Sequence, residues 1–104
     1  MNLEMQSDFV HSILQLRRDW KTAASLIELA KLGGIPLDDR QLRIIANSSD
    51  LIISGKFGYK HVEAANPDEV KSFCLAMNSQ ARQMTERVRR VWTRAFPTTP
   101  QLPA

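Results

Sequence analysis

The stretch DDRQLRIIANSSDLIISGKFGYKHV, Asp38 to Val62, decides the fold, because two periodicities meet inside it. Asp38 followed three residues later by Gln41 is a capping-box spacing: the carboxylate accepts from an orphan backbone N–H and the Gln amide reaches back to the cap. At 100° per residue, Leu42, Ile45 and Ala46 fall on one side of the resulting helix, and Arg40, Arg43 and Asn47 on the other. Two guanidiniums and an amide left in water are the side chains that read base edges. After Ser48, Ser49 and Asp50 the pattern changes to Leu51-Ile52-Ile53, the turn SGKFG, and Tyr59-Lys60-His61-Val62. This is strand, turn and strand, with Gly55 and Gly58 free to take positive φ.

Upstream, a loose Met1 to Gln6 precedes a helix expected from Ser7 to Arg18, capped by Ser7 or Asp8. Phe9, Val10, Ile13, Leu14 and Leu16 supply its apolar stripe. Asp19-Trp20-Lys21 breaks that pattern, with Trp20 expected in the core at the corner. Thr22 caps a second helix from Ala23 to about Leu32, whose apolar positions surround most of the cylinder and place it deep in the core. Gly33 or Gly34 takes the left-handed position that ends it, and Ile35-Pro36-Leu37 leads to the Asp38 cap. Helix, short turn, helix and hairpin is the spacing of a helix-turn-helix with a wing. The fold expected is therefore mainly α: a winged helix-turn-helix over 7–65, with a long C-terminal helix over 66–96 and a proline-rich, extended or disordered tail over 97–104.

In the long helix, Asn66 caps, Pro67 occupies the first position, and Asp68 and Glu69 complement the N-terminal dipole, with Glu69 placed to close a second capping box. Val70, Met77, Met84 and Val91 recur every seven residues, as do Cys74, Ala81, Val88 and Ala95. Together they form one 3,4-spaced seam, uninterrupted until Pro97. About 30 residues at 1.5 Å each span ~45 Å, longer than a winged-helix core, so part of the seam needs another partner. Met77, Ala81, Met84, Val88, Val91 and Trp92 are the expected interface of a two-fold homodimer through a coiled coil. The alternative is that the Phe9, Ile13 and Leu14 stripe covers the seam within one chain.

The chain has 104 residues, 43% hydrophobic and 24% charged, as expected for a single modest core. Its net charge of +3 is unevenly spread. Residues 1–20 sum to −1 and residues 21–81 cancel at seven basic and seven acidic groups; residues 82–104 carry five arginines against Glu86, for +4. Such a surplus is an electrostatic footprint for nucleic acid, or simply a solvated helix face. The lone Cys74 sits on the apolar stripe and reads as a buried thiol in a reducing compartment. His11, His61 and Cys74 have no metal-ligand spacing, His61 reading as a partly exposed strand residue. Ser12 beside His11 lacks an orienting acid, and SGKFG lacks the helix N-terminus a phosphate cradle needs. No enzyme, metal or cofactor is expected, and no apolar run is long enough to cross a bilayer.

Trp20 to Val62 resembles the small winged-helix proteins common in bacteriophages and prophages. The residues that carry the likeness are an opening aromatic with TAA, a helix ending in LG, the DRQLR segment, and ISGKFGYKHV as wing. The following NPDEV and FCLAMNSQARQMTERVRRV are also similar to such proteins, where a helix with an SQAR-like segment follows the wing. The resemblance implies a cytoplasmic protein of a bacterium or phage-infected host that binds double-stranded DNA in transcription regulation or replication. Arg40, Arg43 and Asn47 would enter the major groove, and Lys56 and Lys60 of the wing would touch backbone, Phe57 or Tyr59 pressing on sugar or base unless Tyr59 folds onto the core. Asp39 departs from that pattern, since it brings a second negative charge toward phosphate. It favours the alternative: an adaptor or inhibitor on the same scaffold that docks a host protein and has no DNA sequence specificity. No membrane partner is expected.

Overall fold

The computed structural model describes residues 3–98 and is mainly helical, with a small antiparallel hairpin. In order the elements are α1 (Leu3–Arg17), α2 (Ala23–Leu32), α3 (Asp39–Asn47), β1 (Ile52–Gly55), β2 (Gly58–His61), a 3-10 turn (Val62–Ala64) and α4 (Pro67–Ala95). The chain divides into two compact units, the first ending at Phe73 and the second beginning at Cys74, within α4. Residues 99–104 of the expected tail lie outside the described residues; Pro97 and Thr98 form a turn.

Val10 and Leu14 of α1, Leu26 and Ala30 of α2, Leu37 in the loop before α3, Leu42 and Ile45 of α3, and Ile52 of β1 make the core of the first unit. Each helix contributes residues spaced three or four apart, so each presents one stripe inward. Burial of this kind contributes roughly 1.5–3 kcal/mol for each large aliphatic side chain. Phe9 and Ile13 pack against that core, so the α1 stripe is used inside the first unit. Leu16, by contrast, is exposed.

Helix α1 starts at Leu3, earlier than the sequence suggests. Gln6 is buried and its side-chain amide donates to the carbonyl of Pro36, a tertiary contact that holds the first turn in place. At its other end Arg18 takes φ 51, a rare conformation for a residue with a Cβ, and its guanidinium donates to the Glu63 carbonyl at 3.2 Å. Helix α2 ends in a Schellman arrangement, with Gly34 at φ 73 and Ile35 N–H donating to Ala30 O at 2.8 Å. Leu26 and Ala30 are buried and Ala23, Ile27 and Leu29 half-buried, while Leu32 is exposed.

The hairpin pairs Ile52 with His61, Ile53 with Lys60, Ser54 with Tyr59 and Gly55 with Gly58. Of its two glycines, only Gly58 uses positive φ, at 112. Lys21, between α1 and α2, forms a further antiparallel bridge to Tyr59, with both N–H···O distances 2.8 Å. That bridge explains Gly58 a second time: a Cβ there would lie 2.2 Å from the Lys21 carbonyl oxygen.

Candidate nucleic-acid interface

Helix α3 begins as its sequence dictates. Asp38 accepts from Gln41 N–H at 2.8 Å, and Gln41 Oε1 accepts from Asp38 N–H at 3.0 Å. With Leu42 and Ile45 buried beneath it, the helix exposes Arg40, Arg43 and Asn47. Ile44 is exposed on the same arc and was missed by the sequence reading, although it stands one turn beyond Arg40. An aliphatic group among two guanidiniums and an amide suits contact with a thymine methyl as well as a protein surface.

A hydrogen-bonded histidine and a packed tyrosine ring flank this helix. His11 Nδ1 lies 2.8 Å from the Ser7 carbonyl, which can only accept, and its Nε2 lies 2.6 Å from Ser49 Oγ. Ser49 Oγ in turn accepts from Leu51 N–H at 3.0 Å, so α1 is tied to the junction between α3 and β1. On the other side, Tyr59 packs its ring against the core, and its phenol pKa is raised. Burial is the main cause; Asp39 raises it further and Arg43 opposes. The hairpin and the outer edge of α3 therefore share one electrostatic environment.

Lys56 and Phe57 form the exposed hairpin tip, with the Lys56 ammonium 5.0 Å from the Phe57 ring centre. Lys60 is placed differently from the expectation of a free phosphate contact. Its ammonium sits 3.0 and 3.2 Å from the two Glu69 oxygens and 5.4 Å from the centre of the Trp20 ring. An ammonium already shared between a carboxylate and an aromatic face is committed to the fold. Trp20 itself is half-buried rather than central to the core, and its indole N–H donates to Glu69 Oε2 at 2.8 Å. Glu69 also accepts from Asn66 N–H at 2.9 Å while Asn66 Oδ1 accepts from Glu69 N–H at 2.8 Å, so the expected second capping box is present. These contacts hold the Glu69 pKa below the ordinary carboxylate value, the Asn66 N–H first and the Lys60 ammonium second.

Two further residues, His61 and Cys74, sit otherwise than their sequence context suggests. His61 is buried, its Nδ1 accepting from Glu63 N–H at 3.1 Å. Cys74 is exposed, not a buried thiol. Trp92 is half-buried against its own helix, its ring centre 4.6 Å from that of Phe96. Met77, Ala81, Met84, Val88 and Val91 are all exposed.

No family model, curated protein or solved structure matches the chain. Its own geometry must carry the functional reading. Among the described residues no three His, Cys, Asp or Glu side chains are grouped to hold a metal ion, and no helix is long and apolar enough to cross a membrane.

Proposed function

We propose that this chain is a winged helix-turn-helix protein that binds double-stranded DNA, a phage or prophage regulator or replication accessory factor working in the bacterial or infected-cell cytoplasm. The Lys21–Tyr59 bridge carries the reading. It adds a third extended segment to the hairpin, so the element order becomes helix, extended segment, helix, helix, hairpin, the arrangement in which a wing flanks a recognition helix. Arg40, Arg43 and Asn47 then face the major groove from α3, Ile44 offers an apolar contact, and Lys56 at the wing tip meets adjacent phosphate. Lys60 leaves the phosphate-binding set, because its ammonium is held by Glu69. The arginines after residue 81 add phosphate contacts or line the rim of a dimer.

Docking of a host protein on the same surface is the second reading. It is favoured by Asp39, exposed in the first turn of α3, and by exposed Ile44 and Phe57. A salt titration against a random-sequence duplex pool separates the two. DNA binding by several basic side chains weakens steeply as salt rises, because condensed counterions are released on binding. Within the DNA reading, Arg43→Ala relaxes base preference by about 1–3 kcal/mol at the contacted position, and Lys56→Ala weakens all sequences alike. Affinity for every duplex that is absent, or indifferent to salt, excludes the proposal.

A further inference from the structure

From Cys74 to Ala95 helix α4 is exposed along the apolar face of the second unit, apart from Trp92, which turns to Phe96. Cys74, Ala81 and Val88 alternate with Met77, Met84 and Val91 at intervals of three and four, the spacing that a facing helix of equal period fills knob into hole. We propose that a second copy of this chain covers this face, with the two α4 helices antiparallel.

Charge and volume both select that direction. Residues 74–80 carry no charge, whereas 81–95 carry five arginines against Glu86. Parallel pairing sets one arginine-rich half beside the other, at the ~8–10 Å separation of packed helices and within a Debye length at 0.1 M salt. Antiparallel pairing sets most of each arginine-rich half beside the uncharged 74–80, with only Arg94 level with a cation, Lys71. In the register centred between Ala81 and Met84, Cys74 meets Val91 of the second copy, Met77 meets Val88, and Ala81 meets Met84. Every layer then joins a smaller side chain to a larger one, and the backbones run at even spacing. A parallel pair would stack alanine on alanine at 81 between methionine on methionine at 77 and 84. The flanks agree, since Arg87 lies beside the neutral Gln80 of the other copy.

Sedimentation of the full chain at high micromolar concentration tests the pairing, and cysteine cross-linking tests its direction. The expected mass is twice 11.8 kDa, falling to a single chain in Val88→Glu with helix content unchanged by circular dichroism. In the antiparallel register two Cys74 side chains lie about 25 Å apart along the axis, far beyond disulfide reach. Diamide, which takes up the two electrons and two protons of each thiol pair, is therefore expected to leave the native chain uncross-linked. It should link Val91→Cys into covalent dimers and leave the double variant Cys74→Ser/Val91→Cys unlinked. A monomer at every concentration overturns the proposal, whatever else covers the face. Covalent dimers of the native chain or of the double variant overturn the antiparallel direction. None of these readouts depends on DNA, so the outcome is independent of the DNA-binding reading.

Discussion

The indole N–H of Trp20 donates to Glu69 Oε2 at 2.8 Å, across 49 residues of sequence. The same carboxylate accepts from the Lys60 ammonium and from the Asn66 N–H. One side chain thus closes the capping box of α4, anchors β2, and holds the corner between α1 and α2. Its position decides which basic groups are left for a partner.

Acid unfolding should show this. The native pKa of Glu69 lies below its ordinary value of 4.5, so the unfolded chain takes up the proton first as pH falls. The stability contributed by Glu69 is complete above the ordinary value and is lost as pH drops through the depressed native one. Glu69→Gln is expected to lower Tm at pH 7, and the gap from the native protein should close as pH falls through that window. A gap independent of pH would mean the carboxylate charge is not what the three donors recognise.

Lys60 and Lys56 should behave as opposites. Lys60→Met is expected to destabilise the fold and to show coupling with Glu69→Gln in a double-mutant cycle, while leaving the salt slope of DNA binding unchanged. Lys56→Ala should leave Tm nearly unchanged and reduce that slope by about 1. Equal slope changes from both lysines would place the Lys60 ammonium on DNA and break the division drawn from its contact with Glu69.

How much of this could be read from the sequence follows the range of each interaction. Capping at Asp38 and Asn66, the left-handed Gly34 and the hairpin all arise from residues within a few positions of one another, and the sequence displays them directly. At the early start of α1, Gln6 meets Pro36, a partner 30 residues away that no local pattern shows. Lys60, with its strand neighbours, has the composition of an exposed wing, yet its ammonium is captured by an acid in the first turn of the next helix. Burial of His61 depends on pairing with Ile52, and exposure of Cys74 on where the first unit ends; neither is written in residue spacing.

Two glycines with positive φ should respond unequally to alanine. At Gly34, φ is 73 and nothing lies within 4 Å of the added Cβ, so Gly34→Ala should cost about 1–2 kcal/mol for the left-handed backbone alone. At Gly58 the same atom meets the Lys21 carbonyl oxygen at 2.2 Å. Relief requires opening the Lys21–Tyr59 bridge, and Gly58→Ala should cost about 3 kcal/mol or more in urea unfolding. Similar costs at both positions would show that the bridge contributes little to holding the hairpin.

Tyr59 offers a direct measure of how close the hairpin stands to the outer edge of α3. It is the chain's one tyrosine, so phenolate absorbance near 295 nm reports it alone. Its transition is expected above the ordinary value of 10, because burial disfavours the phenolate and the Asp39 carboxylate repels it. Asp39→Asn should bring the transition down, and Arg43→Ala, which removes the nearby cation, should push it further up. For stability the sign is that of an acid held neutral by the fold: the contribution is complete below pH 10 and is lost as pH climbs from 10 through the native pKa. Opposite shifts from two substitutions on α3, read at a ring on β2, require that the two elements lie side by side. If neither variant moves the transition, α3 and the hairpin are not neighbours in solution, and the wing no longer flanks the helix proposed to read DNA.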